Sequence, residues 1–258
     1  MKKQKEKSNS NNIVQKANIL NSMQPYEYEL EEGISGDMTL TELRFFSLYL
    51  SRINSENPEE REVTISITEF EELFETHLNS STLNQKIYSI LKRAVNVRMV
   101  EENKLRKLML YSMFEWTDEE RPNEFKVRCN ADVLPYLFHI KDKGCYTSYK
   151  LEQISKLNSV SKIRFYEIMK QYLAMNEVTF EWEELRNMLF ANYTEFRDFN
   201  KYMLNSALND VNEFTDINVS MEKNLIRRSV NSLTFYISKK KEDEKSISES
   251  DASKSEND

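Results

Sequence analysis

A chain of 258 residues with a net charge of −7 is long enough for one or two domains with a sizeable core. Three glycines, two cysteines and two histidines leave little material for phosphate-cradling loops, a disulfide framework or a metal cage. No apolar run reaches membrane-span length, and no apolar segment follows the first lysines as in a signal peptide, so a cytoplasmic protein with reduced thiols at Cys129 and Cys145 is expected.

Residues 1–12 are Lys, Asn and Ser with almost nothing apolar, and a disordered tail is expected there. The first folded unit is expected over residues 13–143. Thr39 or Thr41 can cap a helix on which Leu43, Phe46, Leu50 and Ile53 recur at helical spacing. Residues 63–67 alternate as a short strand. Thr68 is expected to cap a second helix over Phe70, Leu73 and Phe74. Ser80 or Ser81 opens a third, with Leu83, Ile87, Ile90, Leu91 and Ala94 on one face and Lys86, Lys92 and Arg93 on the other. Strands over 105–116 and 124–129 then form a hairpin whose turn holds Asp118, Pro122 and Asn123. A connecting helix is predicted over 132–141, with Pro135 in its first turn and a boundary marked by Gly144.

The second unit, residues 144–238, repeats the plan. Ser159 or Ser161 starts a helix carrying Ile163, Tyr166, Ile168, Met169 and Tyr172; a short strand covers 178–180; Trp182, Leu185, Met188 and Leu189 give a second helix. The third is predicted over 194–214, with Phe196, Phe199, Met203, Leu204, Ala207, Leu208 and Val211 as its buried stripe. Residues 217–221 and 233–237 alternate as strands. Residues 239–258 mix Ser with charges and are expected to be a disordered tail.

Three helices followed by a hairpin with basic residues is the order of a winged helix. The predicted fold is therefore α+β and helix-rich: two tandem winged-helix domains with short β-hairpin wings. The acidic total does not oppose DNA binding, because the charge is unevenly placed. Residues 20–76 hold 14 acids against 3 bases, whereas residues 86–107 hold seven bases against Glu101 and Glu102. Phosphate neutralisation needs local basic density. Candidate DNA-contacting residues are Lys86, Lys92, Arg93 and Arg98 in the first unit. In the second they are Tyr193, Arg197, Asn200, Lys201 and Asn205 around the long helix, and Lys223, Arg227 and Arg228 around the wing turn. No catalytic constellation is legible. His77 and His139 lack ligand partners at standard spacing, and no P-loop, Ser-His-Asp order or His-apolar-His triplet is present. No enzyme activity, cofactor or metal is expected.

Several short pieces, in this order and spacing, resemble the iteron-type plasmid replication initiators. They are Asn18-Ile19-Leu20, the first-helix piece Met38-Thr39-Leu40-Thr41-Glu42-Leu43-Arg44, Pro135-Tyr136-Leu137 followed by Tyr146-Thr147-Ser148-Tyr149, Ile163-Arg164-Phe165-Tyr166-Glu167, and Asn212-Glu213-Phe214-Thr215-Asp216-Ile217. The chain departs from that pattern at Asn200 and Tyr202, where many relatives carry basic residues, so the target sequence does not follow. The resemblance implies binding to direct repeats in double-stranded origin DNA, origin melting, and recruitment of a host initiator and the replicative helicase. It also implies a homodimer that represses its own promoter, in equilibrium with an initiating monomer. The first domain would serve dimerisation and DNA-backbone contact, the second the main recognition. The competing classes are a tandem winged-helix transcriptional regulator and a nicking replication enzyme.

Overall fold

The structure is a computed structural model and describes residues 12–23, 33–78, 80–92, 94–99, 104–118 and 123–240. Arg93 and most of both expected tails, 1–11 and 241–258, lie outside the described residues. The second tail is expected from residue 239, but Lys239 ends the last strand and the Lys240 N–H donates to the Asp216 carbonyl, whereas the Asn12 carbonyl accepts the Leu151 N–H. The chain enters as strand β1 (Ile13–Ala17) and a single helical turn, α1 (Asn18–Asn21). Strand β2 (Gly33–Ser35) follows, then helix α2 (Leu40–Arg52). Thr39 starts α2 with a reciprocal cap: its hydroxyl accepts the Glu42 N–H, and the Glu42 carboxylate accepts the Thr39 N–H at 2.8 Å. Leu43, Phe45, Phe46, Leu48, Tyr49 and Leu50 are all at most 4 % exposed, and Glu42, Arg44 and Ser47 are buried with them, so α2 is covered nearly all round and forms the centre of the first unit.

Strand β3 (Glu62–Ser66) runs straight into α3 (Ile67–Leu73). Because the last strand residue already has extended backbone, Ser66 caps α3; Thr68, expected as the cap, instead donates to Asn123 Oδ1 at 2.8 Å. Helix α4 (Ser80–Leu91) ends before Ala94, which opens strand β4 (Ala94–Met99) rather than extending the helix. The strand expected over 105–116 is two strands. They are β5 (Lys104–Met109), paired with β4, and β6 (Tyr111–Trp116), paired with β7 (Glu124–Cys129). The break falls at Leu110, which is 3 % exposed and whose carbonyl accepts the Asn130 N–H at 2.9 Å. Strand order is β3-β7-β6 in one sheet and β2-β4-β5 in another, all antiparallel.

The connecting helix predicted over 132–141 is only a 3₁₀ turn (Ala131–Val133) and one α-turn, α5 (Leu134–Leu137). His139 leaves the helix because its N–H goes to the Ser55 carbonyl at 2.8 Å and its φ is 51°. After a left-handed turn at Gly144, strand β8 (Tyr146–Lys150) pairs antiparallel with β1, from Ile13↔Lys150 to Ala17↔Tyr146.

Helices α6 (Glu152–Ser155) and α7 (Val160–Gln171) follow, the latter capped by Ser159. Strand β9 (Glu177–Glu181) and helix α8 (Trp182–Met188) lead to one continuous helix. It consists of α9 (Phe196–Phe199), a π-helical turn (Asn200–Leu204) and α10 (Asn205–Phe214). The domain closes on a hairpin of β10 (Ile217–Ile226) and β11 (Ser229–Lys239), with β9 on its outer side in the order β10-β11-β9. Both strands run several residues beyond the spans that alternation alone marked.

The two units are joined by buried polar contacts centred on α7. Glu167, fully buried, accepts from the Lys16 ammonium of β1 at 2.8 Å and the Tyr149 hydroxyl of β8 at 2.6 Å. Arg164, 1 % exposed, donates to the carbonyls of Asn21, Met23 and Met188 and lies over the Phe190 ring at 4.2 Å. From α2, Arg44 reaches the carbonyls of Ser155 and Leu157 at 3.1 and 3.2 Å. Burial lowers the pKa of Lys16, with Glu167 opposing the shift, and lowers that of Arg164 to about 10.

Candidate nucleic-acid interface

The α9–α10 helix is divided cleanly. Phe199, Leu204, Ala207 and Val211 are fully buried and Met203 nearly so, which fixes the helix against α7 and the sheet. The opposite side exposes Arg197, Lys201, Tyr202, Asn205 and Asn209. Residues four apart on an α-helix advance by about 40° around its axis. The wider π turn, with its i→i+5 bonding, takes up part of that advance, so Arg197, Lys201 and Asn205 stay in one open row. No sequence signal marked that turn.

The acids near this row are partly engaged. Asp210 pairs with Lys162, and Asp216 with Lys170 and the Tyr166 hydroxyl. Asp198 stands 3.4 Å from Arg197 in an exposed contact between chain neighbours. Lys201 rests its ammonium 4.8 Å from the Tyr202 ring centroid, leaving a 59 % exposed aromatic with a cation on it. Two sequence candidates sit lower. Tyr193 is half-buried with its ring 6.3 Å from that of Phe199, and Asn200 is half-buried with its Oδ1 buried and unpartnered.

The wing stands beside the start of this helix. Lys223 of β10 places its ammonium over the Phe196 ring, 5.5 Å from the centroid. Glu222, on the other face of the strand, is held by the Tyr236 hydroxyl at 3.1 Å. At the tip Ile226 pairs with Ser229 across a two-residue turn formed by Arg227 and Arg228, with φ of 48° and 73°. Two left-handed central residues define a mirror-image turn that suits the strand twist and normally takes Asn-Gly. Arginine there costs about 1–2 kcal/mol per residue in backbone strain.

In the first unit Lys86 is half-buried on α4. Lys92, just past the end of α4, is exposed with its ammonium 4.0 Å from the Tyr88 ring centroid. Tyr88 is itself 58 % exposed, so the third helix of each unit presents one lysine-capped tyrosine, which alternation patterns did not reveal. Arg98 lies on β4 opposite Gly33. The fold also gathers Glu56, His139 and Asp142, all exposed, with ligand atoms within 4.8 Å of one another, a grouping that sequence spacing did not predict. Lys141 already lies 3.3 Å from Glu56 and offsets one of the cluster's two carboxylates. Cys129 is buried and Cys145 exposed, both as free thiols. Among the described residues no helix is long and apolar enough to cross a membrane.

Residues 13–170 match the model of a family described as initiator replication protein, WH1, and residues 181–237 that of the initiator Rep protein, WH2. A curated replication initiation protein of Escherichia coli is 24 % identical over 214 residues, 78 % of this chain. The match spans 65 % of that relative, just under two thirds of its length. The crystal structure of Pi initiator protein in complex with iteron DNA superposes with a TM-score of 0.71 at 17 % identity, over 91 % of this chain and 100 % of that one. The architecture is two winged helices in tandem.

Proposed function

The chain belongs to the initiator replication protein family, and from that membership we propose that it binds directly repeated double-stranded DNA at a replication origin. One observation carries this most: the Lys223 contact over Phe196 sets the wing beside the start of the Arg197–Lys201–Asn205 row, so cations from both elements share one side of the domain. An α-helix is about 10–12 Å across and the major groove about 12 Å wide, so the exposed row fits the groove while the wing lies along the flanking backbone. Arg197 and Asn205 are suited to guanine and adenine edges, Lys201 to guanine or phosphate. Lys223, Arg227 and Arg228 reach phosphates from a hairpin that lacks a rigid frame for base reading. Lys86, Lys92, Arg93 and Arg98 contact the backbone of the adjoining segment. The similarity to Pi initiator, which is held on iteron DNA in its crystal structure, supports the same class of target.

Family membership further supports a role in melting the origin and in recruiting host replication proteins from the cytoplasm. It also supports a dimer that represses its own promoter, with the dimer contact in the first domain and no catalytic step by the chain itself. Footprinting over the DNA flanking the gene tests the core of this. Protection of several direct repeats spaced by whole helical turns, each filled by one monomer, is the expected result. A single palindromic site filled by a dimer identifies a transcriptional regulator instead, and strand cleavage in the same reactions identifies a nicking enzyme.

A further inference from the structure

We infer that the tip of the second wing is a minor-groove wedge: Leu225 and Ile226, carried into DNA by Arg227 and Arg228, open a base step beside the major-groove site. The inference rests on the DNA-binding function proposed above and adds to it how this hairpin changes the shape of the bound duplex.

Four observations converge on the tip. Strand β9 covers β11 only from Ser232 to Tyr236, so residues 224–231 stand out as a two-stranded arm. Leu225 and Ile226 are 63 % and 58 % exposed at its end and pack against no other element's core, although adjacent large aliphatics are ordinarily buried. Isolated exposed apolar residues need no explanation, but here two in succession, one on each face of the ribbon, stand directly behind a strained Arg-Arg turn. From Lys223 to Ser238 the sequence contains no Asp or Glu, so the arm is wholly cationic. Lastly, the ladder slips between Asn224 and Leu225, leaving Asn231 as the extra residue. Such a bulge increases local twist and re-aims the residues at the tip.

That combination is poorly suited to a protein partner and well suited to nucleic acid. Two exposed aliphatic side chains leave apolar surface in water, and with three cations around them they are complementary to a polyanion with stacked apolar bases inside. With the helix in the major groove, the arm beside it meets the next minor groove. That groove is about 6 Å wide, too narrow for a two-stranded ribbon yet wide enough for single side chains. Arg227 and Arg228, paired with the phosphates that flank the groove, hold the tip over it, and an aliphatic side chain beside them can part a base step and kink the helix. Flexible pyrimidine–purine steps yield most easily, so the wedge favours such a step at a fixed distance from the repeat.

The test uses the full-length protein and a duplex carrying one of the direct repeats flanking its gene, with 2-aminopurine placed in turn at adenines beside the recognised segment. Wild-type protein is expected to bend the duplex by roughly 20–90° in a circular-permutation assay and to raise 2-aminopurine fluorescence at one step. Leu225→Ser with Ile226→Ser is expected to abolish the fluorescence rise and most of the bend. Its affinity should fall by no more than about tenfold, because the phosphate contacts remain. Leu225→Ile with Ile226→Leu should keep both signals. Equal bending and fluorescence from the serine variant overturns the inference, as does complete loss of binding with an unchanged thermal transition, which makes the pair an anchor and not a wedge. If wild-type protein forms no complex with any such duplex, the proposed function itself has failed, and the absence of a complex distinguishes that result.

Discussion

Replacing the wing turn with Arg227→Asn and Arg228→Gly should stabilise the protein and weaken its grip on DNA at once. Both arginines occupy left-handed backbone, at φ 48° and 73°. Relieving that strain is worth about 1–2 kcal/mol per residue. Asparagine retains a small part of it, and glycine returns about 0.5–1 kcal/mol through the greater freedom of the unfolded chain. A net gain of about 1–2 kcal/mol remains, which for a chain of this size raises Tm by about 2–4 °C per kcal/mol. On DNA the same change removes two cations. If both touch phosphate, the slope of log Kobs against log salt becomes less steep by about 1.8, at about 0.9 per contact. Thermal denaturation of free protein and filter binding across a salt series measure the two effects separately. A less stable variant would refute the strained-turn geometry, and an unchanged salt slope would refute phosphate contact by the tip.

Arg197→Ala and Lys201→Ala should each cost roughly 1–3 kcal/mol in binding. Arg197→Ala should also blur preference at one base position in a selection from randomised repeats, whereas unchanged affinity and preference for both variants would remove the helix from the interface. Glu167→Ala leaves the buried Lys16 ammonium and Tyr149 hydroxyl without their acceptor and should destabilise the fold by about 3–5 kcal/mol. In Lys16→Met with Glu167→Gln the amide oxygen still accepts from Tyr149, so chemical denaturation should show most of that loss recovered; additive losses would contradict the pairing. Burial, reinforced by Glu167 beside Tyr149 and Asp216 beside Tyr166, holds the phenols of Tyr49, Tyr149 and Tyr166 above their usual range. A raised folded-state pKa contributes stability fully present below about pH 10, the unfolded value, and lost as pH rises beyond it. Lys16, lowered by burial, works the other way just below its ordinary pKa. Net stability should fall above about pH 10, and a flat profile there by pH-dependent denaturation would show the phenols to be accessible.

Legibility in the sequence followed the range of the forces involved. The helices of the second unit were readable because Ile163, Tyr166 and Met169, or Phe199, Met203 and Ala207, recur at the period that burial imposes. The open row of Arg197, Lys201 and Asn205 was readable for the same reason, as the complement of the buried stripe. What failed depended on partners distant in the chain. No Gly, Pro, Asn or Asp interrupts Leu105 to Trp116, and the change of sheet at Leu110 shows only in the pairing of β5 with β4 and of β6 with β7. The helix predicted over 132–141 is cut short by Ser55, more than eighty positions earlier in the sequence. The π turn and the left-handed arginines have no compositional mark, since Arg-Arg reads as ordinary charge where Asn-Gly would have announced a tight turn. Leu225 and Ile226 lie between the two spans that alternation marks as strands, and the exposure of a run of two cannot be seen in sequence.

The residues that carried the family resemblance are mostly joints between the two winged helices. Asn18 accepts from the Thr147 hydroxyl at 2.7 Å, Asn21 takes part in the same cluster, Arg44 crosses from α2 to the turns before α7, and Arg164 and Glu167 tie α7 to β1 and α1. Such positions resist piecemeal change, because removing one member strands a buried charge or polar group without its partner. The row facing outward is under no such constraint and can be rewritten with the repeat it reads. The signature therefore identifies architecture and coupling, whereas the target sequence resides in side chains that contribute little to recognising the family. It also constrains experiment. A fragment beginning at Tyr146 would lose Lys16, Asn21 and Met23, leaving Glu167 with Tyr149 but no cation and Arg164 with the Met188 carbonyl but neither carbonyl from the first unit. Weak DNA binding by that fragment would report a damaged α7 as readily as a missing first domain, so the division of labour between the domains has to be read from surface substitutions in the whole protein.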